Sequence, residues 1–165
     1  MSEARLGVLL MTYGSPAPDL SDLADYLSAV RGGRAVPDEL VTEFRRRYEL
    51  IGGSPLIAIT REQATAVEDR LRGEGRDAHA TVGMRFSRPS IAEGMRELAD
   101  LGCDTVTAIV MSPQYSELLM AGYRRALDSA RGELGSNAPS VHLAPAWYRE
   151  PGFVAAVAER IAEAL

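Results

Sequence analysis

The chain has 165 residues and a formal net charge of −5, and 46% of its residues are hydrophobic. That length suits a single domain, residues 1–165, and the acidic balance argues against a nucleic-acid-binding surface. All 18 basic residues are arginine, which excludes a Schiff-base or P-loop lysine, and the lone cysteine, Cys103, excludes an intrachain disulfide and a cysteine-based metal cluster.

The first part of the chain predicts one strand followed by three helices. The run Leu6–Met11 is almost wholly apolar, as expected of a parallel strand covered on both faces. A helix is predicted at Leu20–Val30, where apolar residues keep to one stripe, and another at Asp38–Leu50. Thr60, with a glutamine three residues later, has the spacing of a capping box and predicts a third helix from Thr60 to Gly73.

The rest of the chain alternates strands with helices. Strands are predicted at Ala80–Met84, Val106–Met111 and Val141–Leu143, and helices at Ser90–Leu101, at Leu118–Leu134 and from Pro151 to the C-terminus. The alternation predicts an α/β fold: a doubly wound, parallel four-stranded sheet with helices on both faces. Ligands of such sheets bind beyond the carboxyl ends of the strands.

Tyr13 directly follows the first strand, in the sequence YGSP. In one interpretation its ring caps the sheet and its hydroxyl bonds to the backbone. In the other, the strand delivers a phenol oxygen to a cleft, where it ligates a hard metal or hydrogen-bonds a ligand. Gly14 would let a ligand approach the backbone there.

A second candidate region is RRRYELIGGSPL, residues 45–56. Arg45 and Arg46 are typical of a solvated helix face, whereas Arg47 lies nearer the helix end and precedes a Gly-Gly-Ser-Pro loop with free backbone N–H groups. Together with Arg31 and Arg34 of VRGGR, these residues predict an anion-binding rim suited to a ligand with several carboxylates.

Other catalytic signals are weak. His79 precedes a strand and His142 lies within one, positions at which histidines are more often structural than catalytic. The sequence has no pair of carboxylates at one strand end, no nucleophile elbow and no dinucleotide-binding fingerprint. No signal-peptide pattern occurs, and no apolar run approaches the ~20 residues of a membrane span, so a cytoplasmic protein is predicted.

Six stretches resemble the N-terminal half of ferrochelatase in order and spacing: LLMTYGSP, YLSAVRGGR, RRRYELIGGSPLIAITREQA, VGMRFSRPSIAEGM, IVMSPQYS and WYREP. The resemblance runs from Gly7 to about Val157, and the YELIGGSPL block is its most specific part. A tyrosine in the YG(S/T)P loop is similar to the Gram-positive and actinobacterial branch, whose enzymes are coproporphyrin ferrochelatases of haem biosynthesis.

The resemblance implies a porphyrin-binding half of a lyase that inserts ferrous iron into coproporphyrin III. Iron and porphyrin are substrates, a haem-type product is a ligand, and no cofactor is required. Tyr13 matches the axial ligand of the product iron. The implied porphyrin-binding residues are Tyr13, Arg31, Arg47, Ser54 and Tyr123.

The sequence also departs from the family pattern. Ferrochelatases are roughly twice this length, and the S-x-H-x-x-P histidine and the glutamate of their second half have no match here, so no catalytic residue is assigned. Phe86 and Gln114 stand where the family commonly has histidines, and the GGSPL loop is one residue shorter. The chain is therefore expected to be weak or inactive without its second half or a second chain. Two alternatives remain: a short homodimeric chelatase of a tetrapyrrole pathway, and a non-enzymatic haem- or porphyrin-binding module.

Overall fold

The computed structural model describes residues 4–165, which form four strands and six α-helices. The strands are β1 (Leu6–Thr12), β2 (Ala78–Met84), β3 (Thr105–Val110) and β4 (Ser140–Leu143). The helices are α1 (Leu23–Val30), α2 (Asp38–Leu50), α3 (Leu56–Gly73), α4 (Ile91–Asp100), α5 (Glu117–Leu134) and α6 (Pro151–Ala164). A single 3-10 turn, Gly135–Asn137, follows α5.

The four strands form one parallel sheet in the order β2-β1-β3-β4. β1 is central, pairing from Leu6 opposite Ala78 to Thr12 opposite Met84 on one side, and with β3 on the other. The predicted parallel four-stranded α/β sheet is therefore confirmed. Because every strand runs the same way, the loops that follow β1, β2 and β3 all leave from one edge of the sheet.

Helices cover both faces of the sheet, which explains why β1 is apolar throughout. Side chains alternate along a strand, so Leu9 and Met11 face the α4 and α5 side while Val8 and Leu10 face α3. All four are at least 96% buried. Complete burial of such a side chain contributes about 1.5–3 kcal/mol to stability, so β1 anchors both layers.

The α1–α2 pair forms a separate third cluster. Leu23 and Leu27 of α1 pack with Phe44 and Tyr48 of α2, and the same cluster includes Phe86, which follows β2. Phe86 lies beyond the carboxyl end of β2. The α1–α2 pair therefore packs beside the edge of the sheet at which a ligand is expected.

Two predicted helix starts are wrong. α3 begins at Leu56 and not at Thr60, whose side-chain hydroxyl donates to the Leu56 carbonyl at 2.7 Å inside the first turn. α1 begins at Leu23, because Leu20 has a φ of 57° and cannot continue a right-handed helix. The structure instead places a reciprocal capping box at Ser90, the N-cap of α4.

Candidate functional site at the carboxyl edge of the sheet

Tyr13 lies beside Phe86 at the carboxyl edge. The β1–β2 ladder continues past both strands, because the Arg85 N–H donates to the Thr12 carbonyl at 3.0 Å and the Phe86 N–H donates to the Tyr13 carbonyl at 3.1 Å. The two rings meet edge to face, with centroids 4.6 Å apart and planes at 61°. Tyr13 remains 38% exposed, and its hydroxyl has no hydrogen-bond partner within residues 4–165. The phenol is thus free to meet a ligand.

A different tyrosine makes the backbone bond that a structural role for Tyr13 would require. The hydroxyl of buried Tyr26 donates to the Gly14 carbonyl at 3.1 Å, and burial raises the pKa of this phenol above its ordinary value. Gly14 itself has a φ of 93°, and a Cβ there would lie 2.3 Å from Ser87 Oγ. Glycine is therefore required where the β1 loop passes the β2 loop.

Arg85 links Phe86 to a second aromatic ring, that of Tyr123. The Arg85 guanidinium lies 4.7 Å from the centroid of Phe86 and 5.6 Å from that of Tyr123, which is completely buried in α5. The Tyr123 hydroxyl has no partner in the part of the chain that the structure describes. Burial raises the pKa of Tyr123 to about 12, so this phenol is neutral at ordinary pH.

The two predicted rim arginines differ in whether they are paired with a carboxylate. Arg31 directly follows α1, is exposed, and has no carboxylate within 4.0 Å in the described part of the chain. Arg47, in the last turn of α2, is exposed too, but its Nε donates to Glu43 Oε1 at 2.8 Å. Hydrogen bonds from Arg46 and then Arg47 lower the pKa of Glu43 to about 2. Arg31 is thus the freer of the two charges.

Ser54 lies just before α3, whose N-terminus is at the carboxyl edge because α3 runs antiparallel to the strand that follows it. Its Oγ accepts from the Leu56 N–H at 3.3 Å, which leaves the hydroxyl proton free to donate. Ser54 lines a cavity of about 380 Å³ together with the β1 loop and with Ser87 and Arg88 of the β2 loop. The Ser54 cavity thus lies between the three segments that meet at this edge.

Large apolar side chains are exposed around the same edge. Leu50 and Ile51 end α2, while Tyr115 and Leu118 lie where α5 begins. Exposed apolar side chains concentrated at one edge are typical of a surface that binds an apolar partner or ligand. The edge therefore combines an aromatic surface, apolar borders and guanidinium groups, which suits a flat apolar molecule with acidic substituents.

Neither histidine lies with Tyr13. His79 is near the amino end of β2, where its Nδ1 is 3.0 Å from Arg72 Nη2, and His142 is exposed on the edge strand β4. Within residues 4–165, no group of three histidine, cysteine, aspartate or glutamate side chains is placed to hold a metal ion. Within the described residues, the Tyr13 phenol therefore has no histidine beside it.

The structure brings only part of the predicted site into contact. Tyr13 and Tyr123 are joined through Phe86 and Arg85, whereas Arg31, Arg47 and Ser54 reach the same edge on separate elements. Arg85 was missed by the sequence analysis. Its position directly after β2 was the available signal, because the residue after a parallel strand lies at the ligand edge. The porphyrin-binding roles of the five residues stay predictions.

The described helices include none that is both long enough and apolar enough to span a bilayer.

Comparison with known proteins relates nearly the whole chain to one family. The ferrochelatase family model matches residues 5–165. A ferrochelatase from Deinococcus radiodurans is 37% identical over 161 residues, covering 97% of this chain and 50% of that protein. A coproporphyrin III ferrochelatase from Anoxybacillus flavithermus is 32% identical over 167 residues, covering 99% of this chain and 52% of that protein. The chain thus spans about half the length of these relatives.

The fold also matches a solved structure. A protein from Marinobacter aquaeolei, described as a cobalamin (vitamin B12) biosynthesis CbiX protein, superposes with a TM-score of 0.51 at 12% identity, covering 96% of this chain and 95% of that one. At this identity the likeness concerns the fold alone. The family match over residues 5–165 rests on sequence and is much broader than any single motif. The chain therefore belongs to the ferrochelatase family.

Proposed function

We propose that this chain is the porphyrin-binding half of a cytoplasmic ferrochelatase that inserts ferrous iron into coproporphyrin III, a lyase reaction of haem biosynthesis. Iron and the porphyrin are its substrates, and the haem-type product is its ligand. Membership of the family supports metal insertion into a porphyrin, and the Anoxybacillus relative, a coproporphyrin III ferrochelatase, supports the coproporphyrin substrate.

The observation that carries this proposal is the position of Tyr13. Its ring is exposed at the carboxyl end of the central strand and packs against Phe86, and its hydroxyl makes no hydrogen bond to a described residue. A phenol oxygen held this way can approach the centre of a macrocycle that lies over the edge, and tyrosine is a known axial ligand of haem iron. We therefore assign Tyr13 as the axial ligand of the product iron.

The remaining predicted residues suit the periphery of a tetracarboxylate macrocycle. Arg31 is exposed and has no carboxylate partner among residues 4–165, the terminal N–H groups of Arg47 are not used by Glu43, and Ser54 can still donate its proton. Guanidinium and hydroxyl donors of this kind bind carboxylates through charge-assisted hydrogen bonds. The exposed Leu50, Ile51 and Leu118 would border the apolar ring itself.

Metal insertion requires more than this surface. Two pyrrole protons must leave the porphyrin as iron enters, and a base has to accept them. The phenol of Tyr13 suits iron ligation, and neither histidine lies beside it. We therefore assign the proton-accepting base to a second half of the enzyme or to a second chain.

The test is a spectroscopic comparison of the chain with Tyr13→Phe, each loaded with ferric coproporphyrin III. Tyr13→Phe should abolish the phenolate-to-iron charge-transfer band of the complex while leaving circular dichroism unchanged, since the hydroxyl makes no bond within the described residues. Tyr148→Phe, at another exposed tyrosine, is the matched control and should keep the band. A band that survives in Tyr13→Phe would remove Tyr13 from the ligand set.

One feature favours the second candidate, a homodimeric chelatase. The outer face of α6 exposes Val154, Val157 and Ile161, which recur at helical spacing. The segment before α6 is anchored, because the Trp147 indole N–H donates to the Val110 carbonyl at 2.8 Å. A second copy of the chain could cover this face and complete a cleft. A size-exclusion mass of twice the monomer would favour the homodimer over the half-enzyme.

A further inference from the structure

Arg85 is a charged residue at the site, and it is not among the predicted porphyrin-binding residues. It follows β2 directly and is half-buried, and its backbone N–H donates to the carbonyl of Thr12, the residue before Tyr13. Its guanidinium lies between the rings of Phe86 and Tyr123, at 4.7 and 5.6 Å from their centroids. The side chain is thus held in place by aromatic contacts while its edge carries the N–H donors.

Those donors are unused within the described chain. Nine other arginines in residues 4–165 lie within 4.0 Å of a carboxylate, most of them on exposed helix faces. Arg85 has no such carboxylate and donates no side-chain hydrogen bond to a described residue. A partly buried guanidinium without an acceptor is costly, because desolvation weakens its hydration without replacing it.

A second unsatisfied polar group lies against it. Tyr123 is completely buried beside the guanidinium, and its hydroxyl is the one buried side-chain polar atom in residues 4–165 that lacks a hydrogen-bond partner. Buried hydroxyl groups in folded proteins are nearly always paired. Of these two neighbouring polar groups at the ligand edge of the sheet, half-buried Arg85 is the one that a ligand can reach.

Gly122 supplies the space that Arg85 occupies. A Cβ at this position would lie 2.2 Å from Arg85 Cζ, so any other residue would displace the guanidinium from its place between the rings. Gly122 is in the interior of α5, where glycine costs about 1 kcal/mol relative to alanine. The close approach of Arg85 is a physical reason for a glycine at a position that disfavours it.

We propose that Arg85 is a carboxylate-binding residue of this site and that it gives the chain a preference for acidic porphyrins over neutral ones. The inference rests on the proposed function, because it takes the porphyrin as the ligand. Phe86 and Tyr13 present ring surface beside the guanidinium, so a flat macrocycle can contact the rings while one acidic substituent accepts from Arg85. Guanidinium groups favour carboxylates, since their planar fork matches two oxygens.

The test compares two ligands of the same ring shape, coproporphyrin III and its neutral tetramethyl ester, by titrating each into the 165-residue chain and following the Soret band. Arg85→Met should weaken coproporphyrin III by about 10- to 100-fold, the loss expected for one charge-assisted hydrogen bond, and leave the affinity for the ester nearly unchanged. Arg125→Met removes an exposed arginine from the same region of α5 and should change neither affinity.

A second variant displaces Arg85 without removing it. Gly122→Ala should push the guanidinium aside and reproduce the selective loss for coproporphyrin III, with no loss of thermal stability, because the obstructed atom is the end of a flexible side chain. Gly132→Ala is the matched control: it is in the same helix, and its added Cβ meets no atom within 4 Å. It should leave both affinities as they are.

The outcomes separate this inference from the proposed function. If the unmodified chain binds neither porphyrin, the proposed function fails and the role of Arg85 fails with it. If the chain binds both and Arg85→Met lowers both affinities equally, Arg85 supports the fold or the ring contact and is not a carboxylate-binding residue. Selective loss in both Arg85→Met and Gly122→Ala supports the inference.

Discussion

Three tyrosines near the carboxyl edge show how differently one residue type can be used. Within residues 4–165, Tyr13 is exposed with a free hydroxyl, Tyr26 is buried and bonded to the Gly14 carbonyl, and Tyr123 is buried with no hydrogen-bond partner. The sequence places Tyr13 at a strand end, which is sufficient to predict its location. The sequence does not show whether the Tyr13 hydroxyl is free. The Gly14 carbonyl beside it is taken by the hydroxyl of Tyr26, which comes from a helix in another cluster.

The unpartnered hydroxyl of Tyr123 leads to a prediction about stability. A buried hydroxyl without a hydrogen bond costs about 1–3 kcal/mol, and phenylalanine retains the same ring packing. Tyr123→Phe is therefore expected to raise the free energy of unfolding of the ligand-free chain at pH 7 by about 1 kcal/mol. Urea unfolding measures the change. A loss of stability would mean that the hydroxyl has a partner in solution.

The same variant has an expected pH signature. The pKa of Tyr123 is raised from 10.0 to about 12 in the folded chain, mainly by burial, so the folded state holds its proton after the unfolded state has lost it. The shift leaves stability unaffected below pH 10, and the folded state then loses about 2–3 kcal/mol of stability relative to the unfolded state as the pH rises from 10 to about 12. Between pH 10 and 12, the free energy of unfolding of Tyr123→Phe should fall less steeply with pH than that of the unmodified chain. If the plots of unfolding free energy against pH were parallel for the two chains, the raised pKa of Tyr123 would be contradicted.

At the scale of elements, periodicity and composition are enough to predict every strand and helix, but not every boundary. The α3 start was missed because Thr60, which resembles an N-cap in sequence, is a buried residue bonded to the helix's own first turn. A threonine hydroxyl can satisfy a carbonyl four residues earlier as well as an exposed N–H, and sequence alone does not separate the two. At Ser90, where the sequence analysis predicted a helix start without a capping box, a reciprocal capping box forms.

Close packing of α4 on the sheet depends on a small residue inside the helix. A Cβ at Gly94 would lie 2.7 Å from both the Val82 carbonyl oxygen and Leu9 Cδ1. Backbone of β2 cannot move aside as a side-chain end can, so the helix would have to shift away from the strand. The helical periodicity of the sequence does not distinguish Gly94 from other core-facing positions, so it does not predict the close contact with the Val82 carbonyl.

We expect Gly94→Ala to lower the free energy of unfolding by about 1–3 kcal/mol, the usual cost of overpacking, even though alanine is the better helix former. Gly132→Ala, in open space on α5, should instead raise it by up to about 1 kcal/mol. Paired thermal or urea unfolding measures the two signs. A gain in both variants would show that α4 can move off β2 at little cost.

At the scale of the molecule, the sequence is enough to place the candidate residues at the carboxyl edge of the sheet, because all parallel strands end together there. Tyr13 and Ser54 could be located by their neighbouring elements alone. The Arg85–Tyr123 contact could not, because it joins the end of β2 to a helix more than thirty residues later, across the end of β1. Such contacts depend on how far apart the layers pack, which no local pattern records.

The groups that we propose for binding the macrocycle are gathered in one part of the molecule. The Tyr13 phenol, the guanidinium groups and the apolar borders all lie at the carboxyl edge of the sheet. His79 is near the opposite end of the sheet, bonded to Arg72. Within residues 4–165 neither histidine lies beside Tyr13, and the relatives are about twice as long as this chain.

We therefore expect the 165-residue chain to bind coproporphyrin III but to metallate it no faster than the protein-free reaction, with ferrous iron under anaerobic conditions or with zinc. Loss of the free-porphyrin fluorescence measures insertion, and the size-exclusion mass of the same sample fixes the assembly. Binding without insertion by a monomer supports the half-enzyme, since that is the result expected of a chain that carries the porphyrin surface and leaves the proton acceptor to a second half. Insertion by a dimer supports the homodimeric chelatase, in which a second copy supplies the base. Rapid insertion by a monomer would place the base on this chain and overturn the assignment of Tyr13 as a ligand without a neighbouring acceptor.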